Sequence, residues 1–205
     1  MNPSALPDST PNASATNSST SNSHAGGTDT RHHTDPTAAP TRLAPSTHAH
    51  SGDVVVFNIG MTVAKPHRPD LWLPVFTAMP RMLAELFRNR AAADRGEAED
   101  LGFLGAATLM GGKGPWVVQY WRSTEHLYAY AHDRTAAHLP AWRAFNSAAR
   151  RHPGAVGIWH ETFSVPANGI ETLYSNGAKI GLGAATGTIP VLRRGRTARE
   201  RLGNR

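Results

Sequence analysis

The 205-residue chain has no cysteine and no long uninterrupted apolar run. The absence of cysteine excludes disulfides, thiolate nucleophiles and thiolate metal ligands, although it does not identify the compartment. No stretch approaches the roughly eighteen consecutive apolar residues of a transmembrane helix, so the sequence predicts no membrane span. The first residues also lack the basic start and apolar run of a secretory signal. We therefore expect a cytoplasmic protein.

Aromatic residues are absent from the first fifty positions, and large aliphatic residues are isolated there. Residues 1–50 consist mostly of serine, threonine, asparagine, alanine, proline, glycine and histidine. Such a composition cannot bury enough apolar surface to offset the entropy lost on ordering, so we predict a disordered tail. Its histidines, such as His32 and His33, would have no fixed geometry, and the sequence predicts no metal site.

The formal net charge of +6 comes mainly from the C-terminal end. Residues 191–205 contain six arginines against one glutamate, whereas residues 1–50 contain two arginines against three aspartates. The two ends therefore carry +5 and −1, which leaves +2 for residues 51–190. A nearly neutral body argues against a nucleic-acid groove. We divide the chain into a disordered tail (1–50), a folded domain (51–190) and a basic, solvated tail (191–205).

Hydrophobic periodicity predicts four strands and three helical segments in the folded domain. The strands cover Asp53–Thr62, Leu101–Met110, Pro115–Ser123 and Ala155–Val165, and the helical segments cover Pro69–Asn89, Thr124–His132 and Leu139–Arg151. Pro74 and Pro80 are expected to bend or break the first helix. The β-α-β-β-α-β order predicts an α+β, ferredoxin-like domain with both helical layers on one face of an antiparallel sheet.

The other face of this sheet needs a cover, because the first strand has apolar side chains pointing both ways. The sheet of a second copy is the simplest cover, so we expect a homodimer. The segment after Pro166 is expected to be an arm that packs on the domain or on its dimer mate.

Four of the five tryptophans lie between residues 116 and 161, beside histidine, glutamate and asparagine. Aliphatic residues would fill a core without burying polar groups, so bulky rings next to polar groups predict a partly polar pocket. Trp142 and Asn146 are four residues apart on one helix and can form one wall. Tyr120 and Trp121 point to opposite faces of their strand, so either one can line the pocket. Trp159 is a further substrate-binding candidate, and core packing is the alternative for each ring.

Two histidines are candidate catalytic residues. His138 precedes Leu139-Pro140 and is expected near a helix N-terminus, where the helix dipole disfavours the imidazolium. A neutral imidazole there could act as a general base or ligate an iron, and a capping role is the alternative. On the last strand, alternation separates His160 from Glu161. We expect His160 in the pocket and Glu161 either at a dimer interface or paired with an arginine.

Three segments together resemble a known family: Tyr-Trp-Arg-Ser at 120–123, His-Leu-Pro-Ala-Trp-Arg-Ala-Phe-Asn at 138–146 and Gly-Ile-Trp-His-Glu-Thr at 157–162. They resemble the fumagillin-pathway-type monooxygenases, which are similar in fold to the antibiotic-biosynthesis monooxygenases. The resemblance runs from about Val54 to Ala185. It implies a dimeric α+β barrel with one pocket per subunit between helices and sheet. Phe163, in place of a phenol, and the lack of a proline at residues 176–179 depart from the family pattern.

The resemblance implies a small-molecule substrate and O2 as partners, since relatives of this fold oxidise aromatic or polyketide substrates without metal or flavin. In that case His138 or His160 removes a substrate proton, and no cofactor is needed. Other relatives bind haem, so a haem protein with one of these histidines as axial ligand is the alternative. A catalytically silent dimer that binds a small molecule is the third hypothesis. The fold by itself does not decide among the three.

Overall fold

The computed structural model describes residues 43–133 and 138–203, without the side chains of residues 138–141 and 144. Its strands are β1 (Ser46–His48), β2 (Val54–Val63), β3 (Phe103–Gly111), β4 (Gly114–Trp121), β5 (Val156–Val165) and β6 (Thr188–Pro190). Its helices are α1 (Pro69–Asp94), α2 (Thr124–His132), α3 (His138–Arg151), α4 (Gly181–Thr186) and α5 (Ala198–Arg201). Within the described ranges, no helix is both long and apolar enough to cross a membrane. Most of the predicted N-terminal tail, residues 1–42, lies outside the described residues.

The main sheet has four antiparallel strands in the order β3-β4-β2-β5. In the β-α-β-β-α-β sequence of this domain, that order places the first strand next to the last one and leaves the β3–β4 hairpin on the other side. This is the ferredoxin-like arrangement that the sequence predicted. Gly112 and Lys113 connect Gly111 to its partner Gly114, so the predicted hairpin is also confirmed.

Helix α1 is longer than the sequence predicted and is not interrupted. Pro74 and Pro80 both lie inside one continuous helix of 26 residues. The hydroxyl of Thr77 donates to the carbonyls of Leu73 and Pro74, in the turn between the two prolines. Burial at both ends of the helix, by Leu71 and Leu86, holds it against the domain. Tertiary packing has therefore overridden the two local breakers.

The main core lies between the sheet and helices α1 and α2. The sheet and both helices contribute buried side chains to it, which are Val55, Leu86, Phe103, Trp121, Leu127 and Tyr130. We call this face of the sheet the helix side. In β2 the odd-numbered residues point towards it, because Val55 and Phe57 contact this cluster whereas Val54 and Val56 contact another.

The opposite side of the sheet carries neither α1 nor α2, and we call it the helix-free side in that sense. It is partly covered by the chain after Pro166, including the short helix α4, which we call the arm (residues 167–187). Ile170 and Leu182 of the arm are buried against Val54, and form a second core cluster with half-buried strand residues. The hydroxyl of Tyr174 accepts a hydrogen bond of 2.7 Å from the N–H of Gly183, so the arm also folds back on itself. The arm of the sequence prediction therefore packs on its own domain.

Two segments assigned from composition to the tails take part in the fold. Strand β1 pairs with β6, and its Thr47 and His48 are each only 1% exposed. Near the C-terminus, the side chain of Arg201 is 6% exposed and forms an ion pair with Glu171. Polar residues at both ends of the chain are held by hydrogen bonds to the arm, a long-range pairing that composition does not reveal.

Candidate functional site

His160 and Glu161 point to opposite sides of the sheet. In the β2–β5 ladder His160 lies opposite Ile59 and Glu161 opposite Asn58. The ring of His160 lies 5.7 Å from that of Phe57, centroid to centroid, so the imidazole is on the helix side. Glu161 is exposed on the helix-free side. This separation is the one that strand alternation predicted.

The helix side near His160 is open, since this imidazole is exposed on the edge strand β5. Helix α3 packs against α1, where Phe145, Ala148 and Ala149 line a narrow crevice with Leu71. On the same helix, Trp142 is 50% exposed and stacks on Phe145 with ring centroids 5.9 Å apart. Asn146 is half-buried. We use the name helix-side cleft for His160 together with Trp142, Phe145 and Asn146, which are grouped by their side of the sheet and not by a contact between them.

His138 is the first residue of α3, as its position before Leu139-Pro140 predicted. Its side chain lies outside the described residues, so its role stays a prediction.

Tyr120 and Trp121 have different environments. Trp121 is fully buried on the helix side, in edge contact with Phe103 at 5.3 Å, and its indole Nε1 donates to the Oε1 of Gln119. Its ring and its polar group are both satisfied inside the core, so Trp121 is a core residue and not a pocket wall. Tyr120, by contrast, points to the helix-free side and lines a cavity there.

This cavity, which we call the arm-side cavity, lies between the sheet and the arm and has a volume of about 310 Å³. Its sheet wall consists of Val54, Val56, Tyr120 and Val165, and its arm wall of Gly169, Ile170, Glu171, Thr172, Tyr174, Ile180, Gly181 and Leu182. Most of these side chains are apolar, and the polar groups come from a few residues, as in many small-molecule sites. The sequence analysis singled out Tyr120 in this set and missed the contribution of the arm.

The hydroxyl of Tyr120 is placed beside Gly181. A Cβ atom at position 181 would come within 3.1 Å of it, and Gly181 has a φ of +57°, so glycine provides both the space and the backbone conformation. Burial, with a smaller effect of Tyr174, raises the pKa of Tyr120 above its ordinary value. The phenol therefore stays protonated near neutral pH and can donate a hydrogen bond.

Glu171 supplies the carboxylate of the arm-side cavity, and Arg201 holds it. The Nε and Nη2 atoms of Arg201 both donate to the Oε1 of Glu171, at 2.8 and 2.5 Å. The third guanidinium nitrogen, Nη1, donates to the carbonyls of Gly195 and Arg196. The carboxylate is thus fixed in place by a cation whose own nitrogens are all hydrogen-bonded.

The remaining predicted residue, Trp159, is on the helix-free side beyond the arm. Its ring lies 5.8 Å from that of Trp116, and both pack over Gly60, where a Cβ atom would come within 2.7 Å of either side chain. Phe163 on the same strand is 50% exposed. We call Trp116, Trp159 and Phe163 the aromatic patch. Trp159 and His160 therefore cannot contact one ligand, because the sheet lies between them.

Among the described residues, no group of three or more histidine, aspartate or glutamate side chains is arranged to hold a metal ion. Ionisable groups near the two candidate sites are instead single side chains such as His160, or an ion pair such as Glu171 with Arg201.

Comparison with known families identifies the family of the folded domain. The family model of the Monooxygenase af470-like proteins matches residues 54–182. The chain belongs to the Monooxygenase af470-like family. The first and last matched positions, Val54 and Leu182, are also the first and last residues that line the arm-side cavity. Strands β1 and β6 and the C-terminal segment with Arg201 lie outside the matched range.

Among curated proteins, Monooxygenase af470 of Aspergillus fumigatus is 29% identical over 137 residues, which cover 64% of this chain. The chain spans only 46% of that relative's length. Its family is thus named for a monooxygenase, in agreement with the resemblance seen in the sequence.

Two solved structures are similar in fold. SnoaB, a cofactor-independent oxygenase from Streptomyces nogalater, is 13% identical with a TM-score of 0.35, over 55% of this chain and 92% of its own. The aldoxime dehydratase OxdRE is 14% identical with a TM-score of 0.49, over 65% of this chain and 37% of its own. Both resemblances are too distant to indicate function.

Proposed function

We propose that this chain is an oxygenase that oxidises a small aromatic or polyketide-type substrate with O2, without metal or flavin, and that the reaction takes place in the helix-side cleft. Membership of the Monooxygenase af470-like family is the observation that carries this proposal. The exposed imidazole of His160, on the side of the sheet where aromatic and amide side chains of α3 are also found, supports the choice of site.

His160 is the general base of this proposal. A neutral imidazole can take a proton from an activated methylene or phenol of the substrate. Its neighbour Phe57 and the exposed ring of Trp142 offer apolar faces for a flat substrate. The amide of Asn146 is suited to steady the enolate oxygen that develops when the proton leaves. His138 is the alternative base.

The reaction balances without a further reductant for a substrate with an acidic methylene beside a carbonyl-bearing ring. The base removes a proton, and the resulting carbanion passes electrons to O2. The methylene becomes a carbonyl that holds one oxygen atom, and the second oxygen atom leaves as water. The methylene thus loses four electrons, which are the four that reduce O2. The protein supplies proton removal and oxyanion stabilisation.

Anthrone is a suitable probe, because its methylene lies between two rings opposite a carbonyl. Oxygen uptake with anthrone should exceed the uncatalysed rate in the presence of a metal chelator. We expect His160→Ala to lower the turnover number by about 100-fold or more, the usual contribution of a general base. His132→Ala is the matched control, because His132 is an exposed histidine on α2 that bonds the carbonyl of Tyr128.

Wild-type rates in both His160→Ala and His138→Ala would contradict the proposal. A Soret band in the purified protein, or one that develops stoichiometrically with added hemin and disappears in His160→Ala, would instead favour the haem alternative. Binding of anthrone without oxygen uptake would favour the silent binding module.

We also propose that the protein is a homodimer and that the aromatic patch is its contact. Phe163 is 50% exposed, and Trp116 and Trp159 are half-buried, on a side of the sheet of which the arm covers only one part. The side-chain oxygen of Asn58 on the same side is buried without a hydrogen-bond partner among the described residues. A donor from a second copy would satisfy it.

A further inference from the structure

We propose that the arm-side cavity is a second small-molecule site, separate from the helix-side cleft, and that it binds a neutral, mostly apolar compound carrying one hydroxyl and one carbonyl group. The two sites lie on opposite sides of the same sheet, because Tyr120 faces the arm whereas His160 faces the helices. A ligand of the arm-side cavity is therefore out of reach of the proposed base.

The size and lining of the cavity define the apolar part of the ligand. At about 310 Å³ the cavity is at the lower end of the range for small-molecule sites, about 300 to 1,000 Å³. Valine, isoleucine and leucine side chains from both walls surround it, together with the rings of Tyr120 and Tyr174. This is enough room for a single substituted ring.

Tyr120 defines one polar end. No hydrogen bond joins its hydroxyl to another residue in the described ranges, although the side chain is half-buried at the cavity wall. Tyr174 differs, because its hydroxyl already accepts the bond from Gly183. A half-buried hydroxyl without a protein partner gains a hydrogen bond when a ligand supplies an acceptor, and a carbonyl oxygen is the matching group.

Glu171 defines the other polar end, and its ion pair with Arg201 leaves no cation for an anionic ligand. Both bonds from Arg201 end on its Oε1, and Oε2 accepts none from the described residues, so it is available to a ligand hydroxyl. The nitrogens of Arg201 are all hydrogen-bonded and the side chain is 6% exposed, so this cation cannot pair with a ligand carboxylate. A ligand carboxylate would lose its hydration in a mostly apolar cavity and gain only the neutral hydroxyl of Tyr120 as a donor.

The test is calorimetric titration of the full chain with three para-substituted benzenes. We expect para-hydroxyacetophenone, which has both groups, to bind more tightly than para-ethylphenol, which lacks the carbonyl. Binding of para-hydroxybenzoate, which has the same hydroxyl but a negative charge, should be at least tenfold weaker than that of the ketone. These titrations measure affinity and not oxygen uptake, so their result is independent of whether the proposed reaction takes place.

Variants assign the binding to the cavity. Tyr120→Phe removes one hydroxyl and should weaken the binding of para-hydroxyacetophenone about fivefold to tenfold, the usual value of one hydrogen bond, while the affinity for para-ethylphenol stays the same. Tyr128→Phe is the matched control, because Tyr128 is an exposed tyrosine on α2. His160→Ala should leave the affinity unchanged.

Three results would overturn the inference. The first is the absence of binding, which includes the case in which a second copy fills the cavity. The second is equal affinity for the ketone and the benzoate. The third is loss of binding in His160→Ala with no effect of Tyr120→Phe, because the ligand would then lie in the helix-side cleft.

Discussion

Tyr120 and Trp121 are adjacent in β4 and belong to two different environments on either side of the sheet. Trp121 is fully buried under the helices, and Tyr120 lines a cavity under the arm. The first is part of the structural core, whereas the second is available to a ligand. The sequence left open which of the two residues lines a pocket, and the opposite directions of their side chains give them different roles.

Replacing Trp121 should lower the stability of the folded protein. Trp121→Phe removes ring volume from a contact with Phe103 and Tyr130, and leaves the side-chain oxygen of Gln119 without its donor. We expect the free energy of unfolding to fall by about 2–4 kcal/mol, measured by urea denaturation. Trp142→Phe, at a half-exposed position, should change it by less than about 1 kcal/mol. Equal effects of the two variants would mean that the Trp121 contacts contribute little.

The ion pair of Arg201 with Glu171 should stabilise the arm more than a surface pair does. In Arg201→Ala, Glu171 loses its only described cation, and the two carbonyls that Arg201 bonds also lose a donor. We expect a loss of about 2–3 kcal/mol in the free energy of unfolding. Arg95→Ala breaks an exposed pair with Glu97 and should produce no measurable change. If both variants were as stable as the wild type, the C-terminal segment would not be fastened to the arm.

His48 should make stability depend on pH. Burial first, and the positive charge of Arg194 second, lower the pKa of His48 from 6.5 to about 4, with a further small effect of His50. The folded state therefore favours the neutral imidazole. Between pH 6.5 and 4 the unfolded chain binds a proton that the folded chain does not, so stability falls as the pH is lowered.

The lowered pKa of His48 corresponds to a loss of about 3 kcal/mol in the free energy of unfolding between pH 6.5 and pH 4. We expect urea denaturation at a series of pH values to show a flatter profile for His48→Gln than for the wild type. His67→Gln, at an exposed histidine, is the control and should keep the wild-type profile. A wild-type slope in His48→Gln would assign the pH dependence to other groups.

The aromatic patch should control self-association. Trp159→Glu places a charge where two protein surfaces are proposed to meet, and should convert a dimer into a monomer in analytical ultracentrifugation. Tyr128→Glu, on the exposed face of α2, is the control and should leave the mass unchanged. A wild-type protein that is monomeric at micromolar concentrations would contradict the proposed contact.

Gly60 makes the tryptophan contact of this patch possible. A side chain there would collide with Trp116 and Trp159, whereas Gly112, in the hairpin turn, has no atom within 4 Å of an added Cβ. Gly60→Ala should therefore lower the midpoint of thermal unfolding by several degrees, as expected for a loss of about 1–3 kcal/mol. Gly112→Ala should change it much less.

Local sequence patterns were sufficient to predict the order of the elements in the domain, because the periodicity of apolar residues reports which side of a strand or helix is buried. It predicted the β3–β4 hairpin and the opposite directions of His160 and Glu161, since both depend on local geometry. The family resemblance was also readable from three short segments, and the family match over residues 54–182 agrees with it.

The roles of strand β1 and of the C-terminal segment follow from long-range contacts, which local patterns do not predict. Strand β1 and Arg201 lie in segments whose composition is that of tails. Strand β1 pairs with β6, more than a hundred and thirty residues later in the chain, and Arg201 bonds to Glu171, thirty residues earlier. The arm-side cavity depends on the same long-range folding, because one wall is the sheet and the other is the arm. Local patterns carry no information on which distant backbone will complete a hydrogen bond, so a cavity built between such segments appears only once the chain is folded.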